Sequence, residues 1–266
     1  MRRSPAVADR FYPGDAAALR RMIAEFTPDR PKKKALAVMA PHAGYIYSGG
    51  VAGETFAAVS IPEDIILMGP NHHGYGATVA LMTEGSWEMP MGEVPINPVL
   101  AEILLHSSSH IEADDLAHRF EHSLEVEIPF LQYLQPNLSL TPLVISHLSL
   151  ETCQAVGKAI ASAVREYSRP VLIVASSDMS HYLPRAEASR NDHLALKQLE
   201  LLAPQGLYDT VLNKRISMCG VMPTTIALIA ALELGARQAE LVRYTDSGEV
   251  SGDTDQVVGY AGVIIS

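Results

Sequence analysis

The stretch ALAVMAPHAGYIYSGGVAGETFAAV, residues 35–59, decides the fold. Its first part, Ala35–Ala40, is a short apolar run stopped by Pro41, which reads as a buried strand. Its last part, Gly49–Val59, repeats apolar residues three and four apart, which reads as a helix. Between them lies Pro41-His42-Ala43-Gly44-Tyr45. A strand, a short loop and a helix form the first half of a βαβ unit.

The alternation continues along the chain. Further strands are expected at Ile65–Met68, Val79–Met82, Leu140–Ile145, Val171–Ala175, Glu240–Tyr244 and Val257–Ile265. Further helices are expected at Ala16–Phe26, Pro98–His106, Ser123–Leu134, Glu151–Tyr167, Arg185–Leu202, Leu207–Leu212 and Pro223–Leu234. Asp15 and Ser48 stand where N-caps belong, and Pro129 should kink or divide its helix. This order predicts a three-layer α/β/α fold with a mixed, largely parallel central sheet. The last two strands are joined by a loop alone, so part of the sheet should be antiparallel. That loop, Thr245–Gln256, carries Asp246, Glu249, Asp253 and Asp255 without calcium-loop spacing and reads as solvated. Lys32-Lys33-Lys34 reads as a solvated edge. No linker or repeat divides the chain, so residues 1–266 read as one domain.

Composition excludes several function classes. The apolar content of 48% is too high for a disordered acidic chain. Two cysteines cannot staple a secreted scaffold. A net charge of −10 argues against a general nucleic-acid binder. No apolar run approaches the ~18 residues of a membrane span. Met1-Arg2-Arg3-Ser4-Pro5 has no apolar segment behind it, so no signal peptide is read. The expectation is a soluble cytoplasmic protein without nucleic-acid or membrane partners.

Open α/β sheets build sites beyond the carboxyl ends of their strands. His42 follows the first strand, and Pro70-Asn71-His72-His73-Gly74 follows the second. Ser177-Asp178-Met179-Ser180-His181 follows Val171–Ala175, and His147 follows Ile145. Gly44, Gly69 and Gly74 would let the backbone turn sharply there. A lone histidine is more often an ordinary hydrogen-bonded residue, and His147 is read that way. Several on one edge together point to metal binding or proton transfer. His118 and His122 are four apart and could share a helical face. His122, in Glu121-His122-Ser123-Leu124-Glu125, reads as an acid–base or supporting residue. His106, His110 and His193 read as surface residues.

Other chemistries lack their motifs. Gly74-Tyr75-Gly76 is no dinucleotide fingerprint, and there is no P-loop, His-Glu-x-x-His, Gly-x-Ser-x-Gly or Cys-x-x-Cys. Cys153 reads as core. Cys219 precedes the Pro223 helix, where a thiol pKa is lowered. Ligand, nucleophile and small buried residue are all open for it.

Seven segments in order resemble the Memo family, whose fold is similar to class III extradiol dioxygenases. They are Ala8–Pro13, Ala40–Tyr45, Gly69–His73, Glu121–Glu125 with Ser176–His181, Met218–Gly220 and Gly259–Gly262. The resemblance spans nearly the whole chain. It implies that His42, His72 and Cys219 hold a divalent metal, with Asp178, His181 and His122 beside it. In the dioxygenase relatives, two histidines and a carboxylate hold Fe(II), and a further histidine deprotonates a catechol. His181 matches that base, while Cys219 stands where the carboxylate would be. A thiolate is softer and oxidisable, so copper and zinc suit the set as well as Fe(II). The resemblance also implies AMMECR-like and radical-SAM pathway partners. It leaves the substrate and oligomeric state open.

Three functions follow. The first is a metal-dependent oxidoreductase of a small, phenolic substrate, with His181 as base oriented by Asp178 and His122 as relay. The second is a non-catalytic adaptor that holds a peptide or metal in the same pocket, with Phe11, Tyr12 and Tyr45 as candidate lining residues. The third is a cysteine hydrolase or transferase, with Cys219 as nucleophile and His181 as base, which leaves His42 and His72 unexplained.

Overall fold

A computed structural model describes residues 2–266. The strands are β1 (Arg2–Arg3), β2 (Ala37–Ala40), β3 (Asp64–Pro70), β4 (Val79–Leu81), β5 (Ser86–Met89) and β6 (Gly92–Pro95). They continue with β7 (Glu112–Ala113), β8 (Ser139–Ile145), β9 (Val171–Ser176), β10 (His181–Leu183), β11 (Ala239–Asp246) and β12 (Val257–Ile265). The helices are α1 (Ala16–Phe26), α2 (Tyr45–Ala57), α3 (Pro98–Ser107), α4 (Ile128–Leu134) and α5 (Leu150–Tyr167). After them come α6 (Arg185–Glu200), α7 (Pro204–Asn213), α8 (Val221–Glu233) and α9 (Gly248–Ser251).

Among the described residues, nine strands form one mixed sheet. Its order is β10-β12-β2-β9-β3-β8-β4-β7, with β11 also pairing β12. The centre, β2-β9-β3-β8, is parallel. The flanks are antiparallel where β12 meets β2 and where β4 meets β8. The expected antiparallel pair at the chain end is β11 with β12.

The strand period of two divides the core into two layers. Ala37 and Met39 of β2 and Ile66 and Met68 of β3 face one layer, which holds α3 and α5 to α8. Val38, Ala40, Ile65 and Leu67 face the other, which holds α1, α2 and α4. A small sheet, β1-β5-β6, borders this second layer. Its Trp87 is fully buried, with the Arg3 guanidinium 4.0 Å from the ring centre.

Local chemistry explains several element ends. Asp15 caps α1 by accepting from Ala18 N at 2.8 Å. Pro129 divides its helix as expected: a short 3-10 turn at Glu125–Glu127 precedes α4. Ser48 is not a cap. The helix starts three residues earlier, at Tyr45, and Ser48 Oγ donates to the Ala43 carbonyl inside its first turn. The Thr245–Gln256 loop is less solvated than expected. It contains α9, and Asp246 is buried in a two-point ion pair with Arg185. Among the described residues, no helix is long and apolar enough to cross a membrane.

Candidate metal centre

The carboxyl ends of β2, β9 and β3 lie side by side, and each feeds a chemically active loop. Beyond β2, His42 is buried, and its backbone N–H donates to Asp178 Oδ1 at 2.8 Å. Asp178 lies beyond β9, so one carboxylate ties two strand-end loops together. His72 lies beyond β3, with a side chain 30% exposed.

Two glycines permit the convergence, by close approach and not by bending. A Cβ on Gly69 would lie 2.5 Å from Ser123 Oγ, so glycine lets the Glu121–Glu125 segment press against the end of β3. A Cβ on Gly220 would lie 2.3 Å from the Ser176 carbonyl, so glycine lets the start of α8 meet the end of β9. The first contact delivers His122, and the second delivers Cys219. Of the three glycines expected to turn, Gly74 alone has a left-handed φ, of +67°.

His42, His72 and His122 each offer a ring nitrogen, and the three nitrogens lie within 4.8 Å of one another. The His72 and His122 rings stack at 4.6 Å, and His42 meets them edge-on at 5.2 and 5.5 Å. His42 Nδ1 lies 2.7 Å from Ser176 Oγ, which turns Nε2 toward the other two rings and the Cys219 thiol. His72 Nδ1 lies 2.8 Å from Glu121 Oε1, which leaves its Nε2 free. Burial, then the neighbouring His72 and His122, holds His42 well below the usual imidazole range. Burial likewise pushes His122 down to about 4, against the pull of Glu121. Neutral imidazoles with free lone pairs are what a metal requires.

Cys219 lies against this group. Its Sγ lies 3.4 Å from His42 Nε2 and accepts from Asp178 N at 3.3 Å. The expectation of a lowered thiol pKa is corrected. Burial, and then the negative charge of Asp178, pushes the Cys219 thiol well up, which outweighs its place before a helix. Asp178 is itself raised to about 6 by burial, against His181 and the His42 N–H.

His181 is held by a different residue from the one expected. Its backbone N–H donates to Ser217 Oγ at 2.8 Å, and its ring Nδ1 donates to the Ser217 carbonyl at 2.9 Å. Ser217, not Asp178, therefore orients the ring and fixes its tautomer, with Nε2 as the open nitrogen. His118 is not part of the centre. It is buried against Trp87, and its Nε2 donates to the Ala80 carbonyl at 3.0 Å.

Three buried glutamates were missed in the sequence. Glu121 accepts from His72 N and Nδ1, His122 N and Ser123 N. Burial opposes its charge, yet the His72 hydrogen bond and charge hold its carboxyl well below the usual range. Glu125 accepts from Arg3, Ala6 N, Val7 N and Tyr12 OH, which seats the N-terminal segment on the site wall. Glu127 lies behind His42, 2.7 Å from Ser176 Oγ. The one available signal was acids at otherwise apolar positions of EHSLEVE, residues 121–127.

A cavity of about 670 Å³ opens beside His72 and His122, walled by Phe11, Tyr75 and Phe120, with Arg10 at its edge. The Phe11 ring meets His122 edge-on at 5.0 Å. Tyr12 and Tyr45 are buried in the core and do not line this cavity.

Comparisons with known proteins bear on the family and the fold. The family model described as "Memo-like protein" matches residues 3–264. A "MEMO1 family protein" of Methanopyrus kandleri is 39% identical over 279 residues, covering 99% of each chain. One from Aquifex aeolicus is 39% identical over 265 residues, covering 98% of each. Among solved structures, an uncharacterized protein from Escherichia coli K12 superposes with a TM-score of 0.60 at 15% identity. That match covers 87% of this chain and all of the other, and it speaks to fold alone.

Proposed function

This chain belongs to the Memo-like protein family, and from its own geometry we propose that it is a metal-dependent oxidoreductase of a small phenolic substrate. The observation that carries this reading is the convergence of three imidazole ring nitrogens within 4.8 Å. His42, His72 and His122 would hold a divalent ion, and Cys219 would join them after losing its proton. This donor set accepts Fe(II), zinc or copper; zinc has no redox chemistry, so oxidation needs iron or copper, and Fe(II) is the first choice. Such an ion would supply the redox chemistry with dioxygen.

The chain's own residues do the rest. Glu121 fixes the His72 ring through Nδ1 and leaves Nε2 for the ion. Ser217 holds His181 so that its Nε2 can take a proton from a phenolic hydroxyl. Phe11, Tyr75 and Phe120 give an aromatic ring apolar faces to pack on. Burial around His42 and Asp178 keeps water from one side of the centre. AMMECR-like and radical-SAM proteins remain proposed pathway partners.

A second reading has one observation in its favour. Tyr75 and Phe120 are 49% and 52% exposed at the cavity rim, as a peptide-holding adaptor would have them. Fe(II) loading without oxygen, followed by oxygen uptake with a panel of phenols, separates the two. Substrate-dependent uptake is expected. Ion binding without uptake for any phenol would favour the adaptor, and no ion binding at all would overturn the metal centre.

A further inference from the structure

Behind His42 lies a carboxyl group that the proposed chemistry does not use. Glu127 is fully buried, and its Oε1 lies 2.7 Å from Ser176 Oγ. Its Oε2 has no hydrogen-bond partner among the described residues. The same Ser176 oxygen lies 2.7 Å from His42 Nδ1 and 2.8 Å from the Ser123 carbonyl oxygen.

Three neighbours around one hydroxyl can be assigned by counting. A serine hydroxyl has one proton to give and two lone pairs to fill. A carbonyl oxygen only accepts, so the proton goes to Ser123. The other two neighbours must then donate. His42 does so through Nδ1–H. Glu127 can do so only as a protonated acid.

We propose that Glu127 is a positioning residue of the metal centre: a neutral carboxylic acid that donates to Ser176. Together with the Ser123 carbonyl, it locks the hydroxyl as an acceptor for His42 Nδ1–H and leaves the Nε2 lone pair for an ion. An ionised Glu127 would place a charge in full burial with no donor on Oε2, an arrangement that desolvation opposes. Burial, and then the negative charge of Asp178, pushes the Glu127 carboxyl well above the usual range, although the Ser176 hydrogen bond pulls the other way. The arrangement acts as a second-layer support, with a hydroxyl inserted between the acid and the ligand histidine.

The inference rests on the metal reading, but its main test uses metal-free protein. Infrared spectra at neutral pH should show a protonated-acid carbonyl band that Glu127→Gln removes. Nitrogen-15 spectra should show His42 as the Nδ1–H tautomer in wild type and in Glu127→Gln, whose amide still donates. Glu127→Leu and Ser176→Ala should mix the tautomers and weaken zinc binding by ~10-fold or more. Absence of a Glu127 acid band, or an unchanged His42 signal in Ser176→Ala, would overturn the assignment. If Glu127→Leu does not fold, the infrared comparison with the near-isosteric Glu127→Gln still decides. Failure of wild type to bind zinc would instead overturn the metal reading and leave the infrared result standing.

Discussion

Glu121 grips His72 at two points: Oε2 lies 2.6 Å from its backbone N and Oε1 lies 2.8 Å from its ring Nδ1. Oε1 also accepts from the backbone N–H groups of His122 and Ser123. One fully buried carboxylate thus sets the position of one candidate ligand and the orientation of another.

Glu121→Gln should therefore weaken metal binding without unfolding the chain. The amide keeps the size but loses the charge and half of the acceptor capacity. Calorimetric titration with zinc should show a ~10–100-fold loss of affinity. An unchanged affinity would remove Glu121 from any supporting role.

The strand-end histidines were legible because apolar runs of β-branched and small residues stop abruptly at Pro41 and at Gly69-Pro70. The central parallel strands were legible for the same reason. The small β1-β5-β6 sheet was not, since Gly92–Pro95 has one buried residue and no alternation to read. Glu121, Glu125 and Glu127 were hidden for another reason. Their partners Arg3, His72 and Ser176 lie about 50 or more positions away in sequence, so only the folded chain explains why three acids sit inside. His122 shows the same limit: its motif was visible, but its place beside His42 depends on Gly69 admitting Ser123.

The N-terminal segment should prove essential to stability. Arg3 and Glu125 form an ion pair at 2.6 Å with both side chains almost fully buried. Arg3→Ala should cost about 3–5 kcal/mol in denaturant unfolding, because it strands a buried charge. Replacing both residues by Met should recover little, since Ala6 N, Val7 N and Tyr12 OH would lose their acceptor. Full recovery in the double variant would show that those three bonds contribute nothing.

Buried His118 predicts a pH dependence with a definite sign. Burial lowers it to about 4, and its Nδ1 has no partner among the described residues. Between its unfolded value of ~6.5 and about 4, the unfolded chain holds the extra proton. Its contribution is complete above the unfolded value and is lost as pH falls through this window. His118→Phe should flatten the fall in stability across it, measured by urea unfolding at several pH values. An identical slope in the variant would contradict the assignment.

Cys219 should behave as a hindered thiol in metal-free protein. Its raised pKa predicts alkylation by iodoacetamide that accelerates only above the ordinary thiol range. A rate already at its plateau below neutral pH would revive the cysteine-nucleophile reading. With cobalt bound, a thiolate-to-metal absorption band that disappears in Cys219→Ala is expected.

The most direct measurement is metal content per chain for protein prepared and loaded with Fe(II) without oxygen. Wild type should hold one ion, and His42→Ala, His72→Ala and His122→Ala should each lose it while keeping the folded far-ultraviolet spectrum. Wild type that holds no ion, or a His42→Ala, His72→Ala double variant that still holds one, would contradict the account.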